Sequence, residues 1–292
     1  MKKYIIVSLS LLISVLFLCS CKISKDDIPF KKPVSKSSTF SIQFIDVGQG
    51  DSALVECDGR YMLIDGGDKL HGDKIYSVLE ENEIQHLDIL VMSHLHEDHI
   101  GGLIKALTYA SNIDLTLSNS DYRENNIFKA VENQLSINGT KITVPHIGEK
   151  YKLGSASIEV IDVSSQNEND SLVILITYGK TRFLFTGDIE ENAQKRITKK
   201  YINSEDEPFK IDLLKMPHHG SYENTLYPFL RTFMADYIII SSGNQYGHPS
   251  EKTLDLLNNP KSDYKPKVYR TDKNGDIIVK SNGKSLSIET SQ

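Results

Sequence analysis

The sequence predicts a single α/β (α+β) domain in which two β-sheets are sandwiched between helical layers. A chain of 292 residues with 39% hydrophobic content can bury a large core, and layered α/β chains of this length often remain one domain. Predicted strands precede helices in the first half of the chain, and this order recurs in the last third. The predicted folded part contains no sequence repeat, so we predict one domain.

The N-terminus resembles a processed export signal. Two lysines precede an apolar run over 4–18, which is short for a bilayer-spanning helix of roughly 20 residues. The Leu-Cys-Ser-Cys segment at 18–21 resembles a bacterial lipobox, in which a cysteine is lipidated after cleavage. We therefore predict a lipoprotein signal peptide over 1–20 and a lipid on Cys21 that anchors an exported protein to the outside of the cell membrane. The alternative is a plain signal peptide or an uncleaved anchor with two incidental thiols.

Composition divides the rest of the chain into a tether and an acidic domain. Residues 21–38 are rich in Lys and Ser and are predicted to be a flexible tether before the domain at 39–292. Removal of residues 1–20, which include two lysines, lowers the number of basic residues from 33 to 31. The 39 acidic residues are unchanged, so the formal charge becomes −8. This balance argues against broad, non-specific binding to long nucleic acid. Cys57 is predicted to be a buried small hydrophobe, and no stable protein partner is indicated.

Each element is predicted from its local pattern. Alternation over 40–44 indicates a strand that enters the glycine loop 48–52. Asp58-Gly59 is a strong turn signal between two β-rich segments, which predicts a hairpin. Further strands are predicted at 53–57, 61–64, 87–92, 157–162, 171–178, 181–186, 210–216, 237–241, 267–271, 275–280 and 284–289. Helices are predicted over 73–85, from Ile100, and over 124–137, 189–202 and 250–259.

Ligand-type side chains cluster in the loop that follows the strand at 87–92. His94, His96, Asp98 and His99 place four nitrogen or oxygen donors within six residues. Imidazole suits zinc and other first-row divalent ions, whereas a carboxylate also accepts manganese. The spacing therefore predicts two divalent ions, zinc or manganese. The two leading histidines would face one ion, and Asp98 with His99 would face the other.

Further ligand-type residues follow strands that are predicted later in the chain. Asp188 follows one strand, where a carboxylate can bridge two cations about 3.5 to 4 Å apart. His218 and His219 follow the next strand, and His248 follows a third. Because strand ends along one edge of a sandwich converge, these residues are predicted to complete one pocket. Whether His218 or His219 binds directly is left open.

The order of these motifs resembles the soluble metallo-β-lactamase domain of ComEC-type DNA-uptake proteins, here as a stand-alone lipoprotein. The resemblance spans about 40–280, and the order of the motifs is more specific than any one of them. The matching segments are DVGQGDS at 46–52, LIDGG at 63–67, HLHEDH at 94–99, NDSLV at 169–173, FTGD at 185–188, HHGS at 218–221 and YGHPS at 246–250.

This resemblance implies an αββα metallo-β-lactamase sandwich with a two-metal site that activates a bridging hydroxide. Asp98 and Asp188 would have catalytic roles through the metals. Asp65 would accept a hydrogen bond from a ligand histidine and fix its tautomer; the alternative for Asp65 is capping of its loop. Glu97 is expected to lie outside the ligand set.

Two departures from related proteins affect the expected function. Many zinc hydrolases carry another ligand histidine before the bridging aspartate, but here the only candidate is His146, which we interpret as a loop histidine. Asn169-Asp170-Ser171 occupies the nearer position, which disfavours a β-lactamase or thioesterase and leaves His218 or His219 to complete the first metal. ComEC-type proteins also carry long membrane-spanning regions, which are absent here outside 4–18. We therefore expect a tethered extracytoplasmic enzyme and not a transport channel.

The leading functional hypothesis is a metal-dependent phosphodiesterase or nuclease whose phosphoester substrate includes DNA as a candidate. The acidic charge gives slight support to an alternative, a phosphorylcholine esterase. A catalytically silent binding module is the third possibility, although it predicts missing ligands and all of them are present. The predicted substrate-binding residues are Asn169, Ser171, Lys215, Ser221 and Tyr246. For Lys215, Ser221 and Tyr246 the alternative is a structural role in a loop.

Overall fold

The chain folds into a two-sheet sandwich with helices on both outer faces. The predicted signal peptide, the tether with Cys21, and Asn169 lie outside the residues that the structure describes. The computed structural model describes residues 39–163, 170–202, 209–222, 225–243, 245–259 and 261–292.

Fifteen strands occur in the described part of the chain. Several follow the predicted bounds to within one or two residues, including both strands of the hairpin around Asp58-Gly59. In chain order the strands are β1 Phe40–Phe44, β2 Ala53–Cys57, β3 Arg60–Ile64, β4 His86–Met92, β5 Asn112–Ser118, β6 Ile142–Thr143, β7 Lys150–Leu153, β8 Ala156–Asp162, β9 Val173–Tyr178, β10 Thr181–Phe185, β11 Leu213–Lys215, β12 Tyr237–Ile240, β13 Lys267–Arg270, β14 Ile277–Ser281 and β15 Leu286–Thr290.

Both sheets are mixed, and their parallel parts determine where the functional loops lie. The first sheet has the order β15-β14-β1-β2-β3-β4-β5-β6, and the second has the order β13-β12-β11-β10-β9-β8-β7. Strands β3 to β6 are parallel in the first sheet, and β10 to β13 are parallel in the second. Parallel neighbours end at the same sheet edge, where ligands commonly bind in α/β folds. The predicted ligand loops follow β4, β10, β11 and β12.

The helices cover the outer faces of the sheets. Two of them have side-chain caps: Asn125 accepts a hydrogen bond from the Phe128 amide, and Ser250 accepts one from the Thr253 amide. In chain order they are α1 Gly72–Glu81, α2 Glu97–Ile100, α3 Leu103–Ala106, α4 Asn126–Ile137, α5 Glu191–Ile202, α6 Tyr227–Phe233, α7 Glu251–Leu257 and α8 Thr271–Asn274. No helix in the described ranges is long and apolar enough to cross a membrane.

Three apolar clusters hold the layers together. Between the sheets, Phe40 of β1 stacks on Tyr178 and Phe183 of the opposite sheet, with both ring centroids at 4.9 Å. A second cluster packs α1, α3 and α4 on the first sheet, and a third packs α5, α6 and α7 on the second. Each fully buried phenylalanine contributes about 1.5–3 kcal/mol of transfer free energy. The predicted αββα architecture is confirmed, and Cys57 is buried as predicted.

The structure differs from the predicted elements at several places. The helix predicted over 73–85 ends at Glu81, because Glu83 adopts a left-handed conformation with φ 56°. The helix expected from Ile100 begins instead at Glu97 and divides into α2 and α3 at the Gly101-Gly102 pair. Strands β5, β6 and β7 and helices α6 and α8 were not predicted. For β5 the alternating apolar residues Ile113, Leu115 and Leu117 were an available signal, whereas the other four elements are short and lack a strong periodic pattern.

Candidate metal centre

The predicted ligands meet at one edge of the sandwich, each just beyond the end of a strand. His94 and His96 lie in the loop after β4, and Asp98 and His99 lie in the short helix α2 that follows. Asp188 follows β10 in the other sheet. His218 and His219 form a 3₁₀ turn after β11, where both residues have positive φ angles of 46° and 53°. The side chains therefore come from both sheets and face a common centre.

Four donor atoms converge at what we call the Asp98 position, formed by Asp98, His99, Asp188 and His219. The Nε2 atom of His219 is 3.3 Å from Asp98 Oδ2 and 3.4 Å from Asp188 Oδ2. The Nε2 atom of His99 is 3.3 Å from the same Asp188 oxygen. One donor from each of the four residues lies within 4.8 Å of the others. Two imidazole nitrogens and two carboxylate oxygens form a donor set that suits zinc or manganese.

Contacts on the far side of each ring determine which nitrogen faces this position. His99 Nδ1 lies 2.9 Å from Asp65 Oδ2, and His219 Nδ1 lies 3.0 Å from the Ser241 carbonyl oxygen. A carbonyl oxygen and a carboxylate both accept hydrogen bonds, so each Nδ1 donates. Nε2 of each ring therefore faces the Asp98 position, where its lone pair is available to a metal once its proton is displaced.

Asp65 makes the contact that the family resemblance implied for it. Its carboxylate also accepts hydrogen bonds from the Ser93 amide and the Ser93 hydroxyl, both at 2.7 Å. Burial raises the pKa of Asp65, while His99 opposes that rise. Asp65 adopts a left-handed conformation with φ 56°, which is costly for a residue other than glycine. The buried carboxylate thus joins the end of β3 to the histidine loop after β4.

A second group, the His94 position, consists of His94, His96 and Asp188. His94 Nε2 lies 3.0 Å from His96 Nδ1 and 4.0 Å from Asp188 Oδ2. His218 Nε2 approaches the same carboxylate oxygen at 3.9 Å. Burial, and then the neighbouring His99 charge, hold the pKa of His94 well below its ordinary value, so its ring is neutral at pH 7. Asp188 lies between the two positions, where a bridging carboxylate is required.

Several buried atoms at this edge have no hydrogen-bond partner. They include Asp188 Oδ1, His99 Nε2, His219 Nε2 and His248 Nδ1. Six of the eight such side-chain atoms in the described residues belong to residues of this edge, and leaving each unsatisfied costs about 1–3 kcal/mol. A divalent cation would satisfy the His99, His219 and Asp188 atoms of the Asp98 position, so the residues present there fit bound metal.

The charges of the centre are mutually dependent. Burial alone would lower the pKa of His99 and His219, but nearby carboxylates, Asp188 first among them, raise both pKa values well above the ordinary range. Burial likewise opposes ionisation of Asp98 and Asp188, but the two histidines hold the pKa of each carboxyl well below its usual value. At pH 7 the metal-free centre therefore contains carboxylates paired with protonated histidines. Metal binding displaces those histidine protons.

A cleft of about 430 Å³ opens beside the Asp98 position. His218, His219 and His248 line it, and Tyr246 lies at its rim with 84% of its surface exposed. The His248 ring centroid is 5.7 Å from that of His218 and 6.4 Å from that of His219, so His248 borders the donor groups, and its role as a metal ligand stays a prediction. Ser221 lines an adjoining surface pocket on the other side of Tyr246. The open cleft gives a substrate access to one side of the metal centre.

Two residues predicted to bind substrate lie elsewhere. Ser171 is buried, and its hydroxyl accepts a hydrogen bond from the Asp188 amide at 2.9 Å, so it supports the bridging residue. Lys215 is 2% exposed and lies beneath the centre, with Nζ 2.5 Å from Asp51 Oδ2. A substrate in the cleft does not reach Lys215, because that side chain is covered. The prediction that Lys215 holds substrate therefore does not fit the structure.

Asp51 and Gln49 are members of the site that sequence reasoning did not assign. Both are buried residues of the glycine loop at 48–52, and Gln49 also lines the cleft. Burial opposes ionisation of Asp51, but Lys215, His219 and His99 together lower its pKa to about 2. The loop itself was the available signal, because glycines on both sides of Gln49 and directly before Asp51 permit close approach of the backbone to a site.

We expect His219→Ala to weaken metal binding much more than His218→Ala. His219 Nε2 contacts both carboxylates of the Asp98 position at 3.3 and 3.4 Å, whereas His218 Nε2 is 3.9 Å from Asp188 Oδ2. Loss of a direct ligand should lower affinity by more than the roughly 10–100-fold typical of supporting contacts. Chelator competition and metal content after dialysis measure the difference. The exposed His146→Ala is the control, and equal losses in both test variants would contradict the assignment.

Comparison with known proteins shows what the chain is similar to. The family model for the Metallo-beta-lactamase superfamily matches residues 45–129. ComE operon protein 3 of Bacillus subtilis is 29% identical over 269 residues, which cover 82% of this chain and 33% of that protein. Recombination protein 2 of Haemophilus influenzae is 29% identical over 260 residues, which cover 85% of this chain and 29% of that protein. The chain thus spans about a third of the length of these relatives.

Solved structures show the fold independently of sequence. The metallo-beta-lactamase fold protein YhfI from Bacillus subtilis superimposes with a TM-score of 0.54 at 14% identity, covering 83% of this chain and 100% of that one. At this identity the likeness concerns the fold alone. Two mixed sheets with flanking helices in a single domain are therefore the metallo-beta-lactamase fold.

Proposed function

We propose that this chain, which is similar to the Metallo-beta-lactamase superfamily over residues 45–129 and to ComE operon protein 3 and Recombination protein 2, is a metal-dependent phosphodiesterase acting on nucleic acid. One observation carries the proposal. The Asp188 carboxylate lies between two groups of histidine donors, within 3.3 to 4.0 Å of His94, His99, His218 and His219 nitrogens. This arrangement suits two adjacent cations, as in two-metal phosphoester cleavage.

The charge of the buried centre supports two divalent ions. Four buried or largely buried carboxylates surround the histidines, and one buried ammonium, that of Lys215, faces them. Together these groups carry a charge of −3, so one divalent ion would leave −1, whereas two would leave +1, which favours an anionic phosphoester group at the centre where dielectric screening is weak. The four carboxylates belong to Asp51, Asp65, Asp98 and Asp188.

Bound cations would supply an activated water and neutralise charge on the phosphoryl oxygens. The protein's own residues hold the geometry for this chemistry. Asp188 sets the separation of the two positions, while Asp65 and the Ser241 carbonyl orient two ligand rings. His248 borders the cleft, and burial followed by the charges of His219 and His218 lowers its pKa. A neutral His248 is therefore placed to hydrogen-bond to a phosphoester oxygen.

The name Recombination protein 2 refers to a process that acts on DNA, which supports nucleic acid as the substrate. The absence of a histidine in the Asn169-Asp170-Ser171 segment supports a phosphoester over a β-lactam or thioester. We further propose that the enzyme works outside the cytoplasmic membrane through a lipid on Cys21, as the lipobox predicts. Release of the protein from the membrane fraction in Cys21→Ser would test this location.

A phosphorylcholine esterase is the second candidate function, and the cleft provides an observation in its favour. Asp68 and Glu97 line the cleft together with Asp98, and Tyr246 lies at the rim. Carboxylates and an aromatic face attract a quaternary ammonium group. The same carboxylates repel a polyanion, and the aromatic face contributes little to binding one. The acidic charge of the whole chain also favours a substrate with a cationic group.

An assay of the purified full chain separates these functions. Single-stranded DNA, double-stranded DNA and a phosphorylcholine ester are each incubated with manganese or zinc, with a chelator as the blank. We expect metal-dependent cleavage of at least one DNA substrate, lost in the chelator. DNA that stays intact with both metals while the ester turns over would establish the second candidate instead.

A further inference from the structure

Asp51 lies on the side of the metal centre away from the cleft. Its side chain is 8% exposed and faces two ligand rings. Asp51 Oδ1 is 3.4 Å from Nδ1 of His219, and Oδ2 is 4.0 Å from Nδ1 of His99. These are the ring nitrogens opposite the metal-facing ones. Asp51 is therefore placed to act on the ligands from behind.

Backbone hydrogen bonds tie Asp51 to the same position. Its amide donates to the Asp98 carbonyl oxygen at 3.2 Å, and its own carbonyl accepts from the Gly67 amide at 2.8 Å. The first bond joins the glycine loop to a metal ligand, and the second joins it to the loop that carries Asp65. A displacement of Asp51 would therefore be transmitted to the Asp98 position.

Lys215 holds the carboxylate of Asp51 from the opposite sheet. Its Nζ atom is 2.5 Å from Asp51 Oδ2 and donates to the Met216 carbonyl oxygen at 2.9 Å. Both side chains are nearly inaccessible, so neither charge is stabilised by solvent. Removing one partner of such a buried pair typically costs about 3–5 kcal/mol, whereas replacing both by neutral groups is often tolerated. The pair also links the glycine loop to β11, three residues before His218.

We propose that Asp51 and Lys215 form a positioning pair that sets the metal affinity of the Asp98 position. Lys215 keeps the Asp51 carboxylate in place, and that carboxylate lies 3.4 Å from His219 Nδ1, beside the hydrogen bond from Nδ1 to the Ser241 carbonyl oxygen. A carboxylate behind a ligand imidazole orients the ring and strengthens its other nitrogen as a donor. The inference rests on metal binding at the proposed catalytic centre and is independent of the substrate.

A purely structural ion pair is the competing explanation, and a double substitution distinguishes the two. Asp51→Asn removes the charge at nearly constant size, and Lys215→Met removes the ammonium but retains an apolar stem. The combined variant leaves no buried unpaired charge. A structural pair predicts that this variant regains both stability and metal affinity, whereas a positioning pair predicts that only stability returns.

The experiment measures two quantities for wild type, both single variants and the double variant. They are the melting temperature of the metal-free chain and the metal affinity by chelator competition. We expect Asp51→Asn to lower affinity by about 10–100-fold. We expect the melting temperature of the double variant to be closer to that of wild type than the melting temperature of Lys215→Met is. Its metal affinity should stay as weak as that of Asp51→Asn. The double variant distinguishes a structural pair from a positioning pair even if a single variant does not fold.

The exposed pair Lys210 and Asp236, whose charged atoms are 2.8 Å apart, provides a matched control. Lys210→Met with Asp236→Asn should change neither the affinity nor, by more than about 1 kcal/mol, the stability. Wild-type affinity in Asp51→Asn or in the double variant would overturn the proposal. Failure of the proposed function would show itself separately, as intact DNA with a wild-type protein that still binds metal.

Discussion

Asp188→Asn is expected to lower metal-dependent hydrolysis by about 10³-fold, because two metals supply several kcal/mol of charge stabilisation to the transition state. The substitution keeps the shape of the side chain but removes its charge. Asp188 Oδ2 lies 3.3 Å from His99 Nε2, 3.4 Å from His219 Nε2 and 4.0 Å from His94 Nε2. Both metal positions therefore lose their shared anionic donor, and the metal content of the purified protein should fall.

Metal content and turnover are measured on the same samples, by elemental analysis and by hydrolysis of the substrate found for wild type. Asp114→Asn is the matched control, because Asp114 is exposed and lies with the partly buried His86 and Asp88 in another group that brings donor atoms together. That variant should retain full metal content and activity. Full metal content and turnover in Asp188→Asn would refute the bridging role.

Gly50→Ala is expected to destabilise the metal-free chain by about 2–6 kcal/mol, the sum of backbone strain and overpacking. Gly50 has a φ of 134°, and a Cβ atom there would lie 2.3 Å from the Asp98 carbonyl oxygen. That oxygen accepts the Asp51 amide, so the two backbones cannot separate without loss of the hydrogen bond. Chemical denaturation followed by circular dichroism measures the change.

Gly139→Ala separates the two causes. Gly139 also has a positive φ, 74°, but a Cβ atom there would meet nothing within 4 Å. This control should cost only about 1 kcal/mol, from backbone conformation alone. Equal destabilisation of both variants would mean that the contact with Asp98 does not restrict residue 50.

Local patterns allowed much of the fold to be predicted. The hairpin around Asp58-Gly59 and the strand before His94 depend on neighbours in the chain, so their signals lie in short windows. Short elements were missed because their stability comes from packing. Helix α6 is one example, since Phe229 and Phe233 are wholly buried against the second sheet while the helix itself is only seven residues long.

The assembly of the site could be anticipated only in part. His94 to His99 are adjacent in sequence, and Asp188 and His219 follow strand ends, so their types and positions suggested ligands. The choice between His218 and His219 depends on where each ring nitrogen points. The Ser241 carbonyl behind His219 determines that orientation, and Ser241 lies at the end of a different strand.

The amino-acid sequence alone determined the sandwich and the donor types of this protein, because periodicity, turn residues and motif order act locally. Only the tertiary structure decided that Lys215 is buried beneath the centre and that Asp51 supports its ligands. Lys215 and Asp51 are 164 positions apart, and their 2.5 Å contact joins the two sheets. A lysine beside a cleft and a lysine under it have the same sequence signature, and only packing distinguishes them.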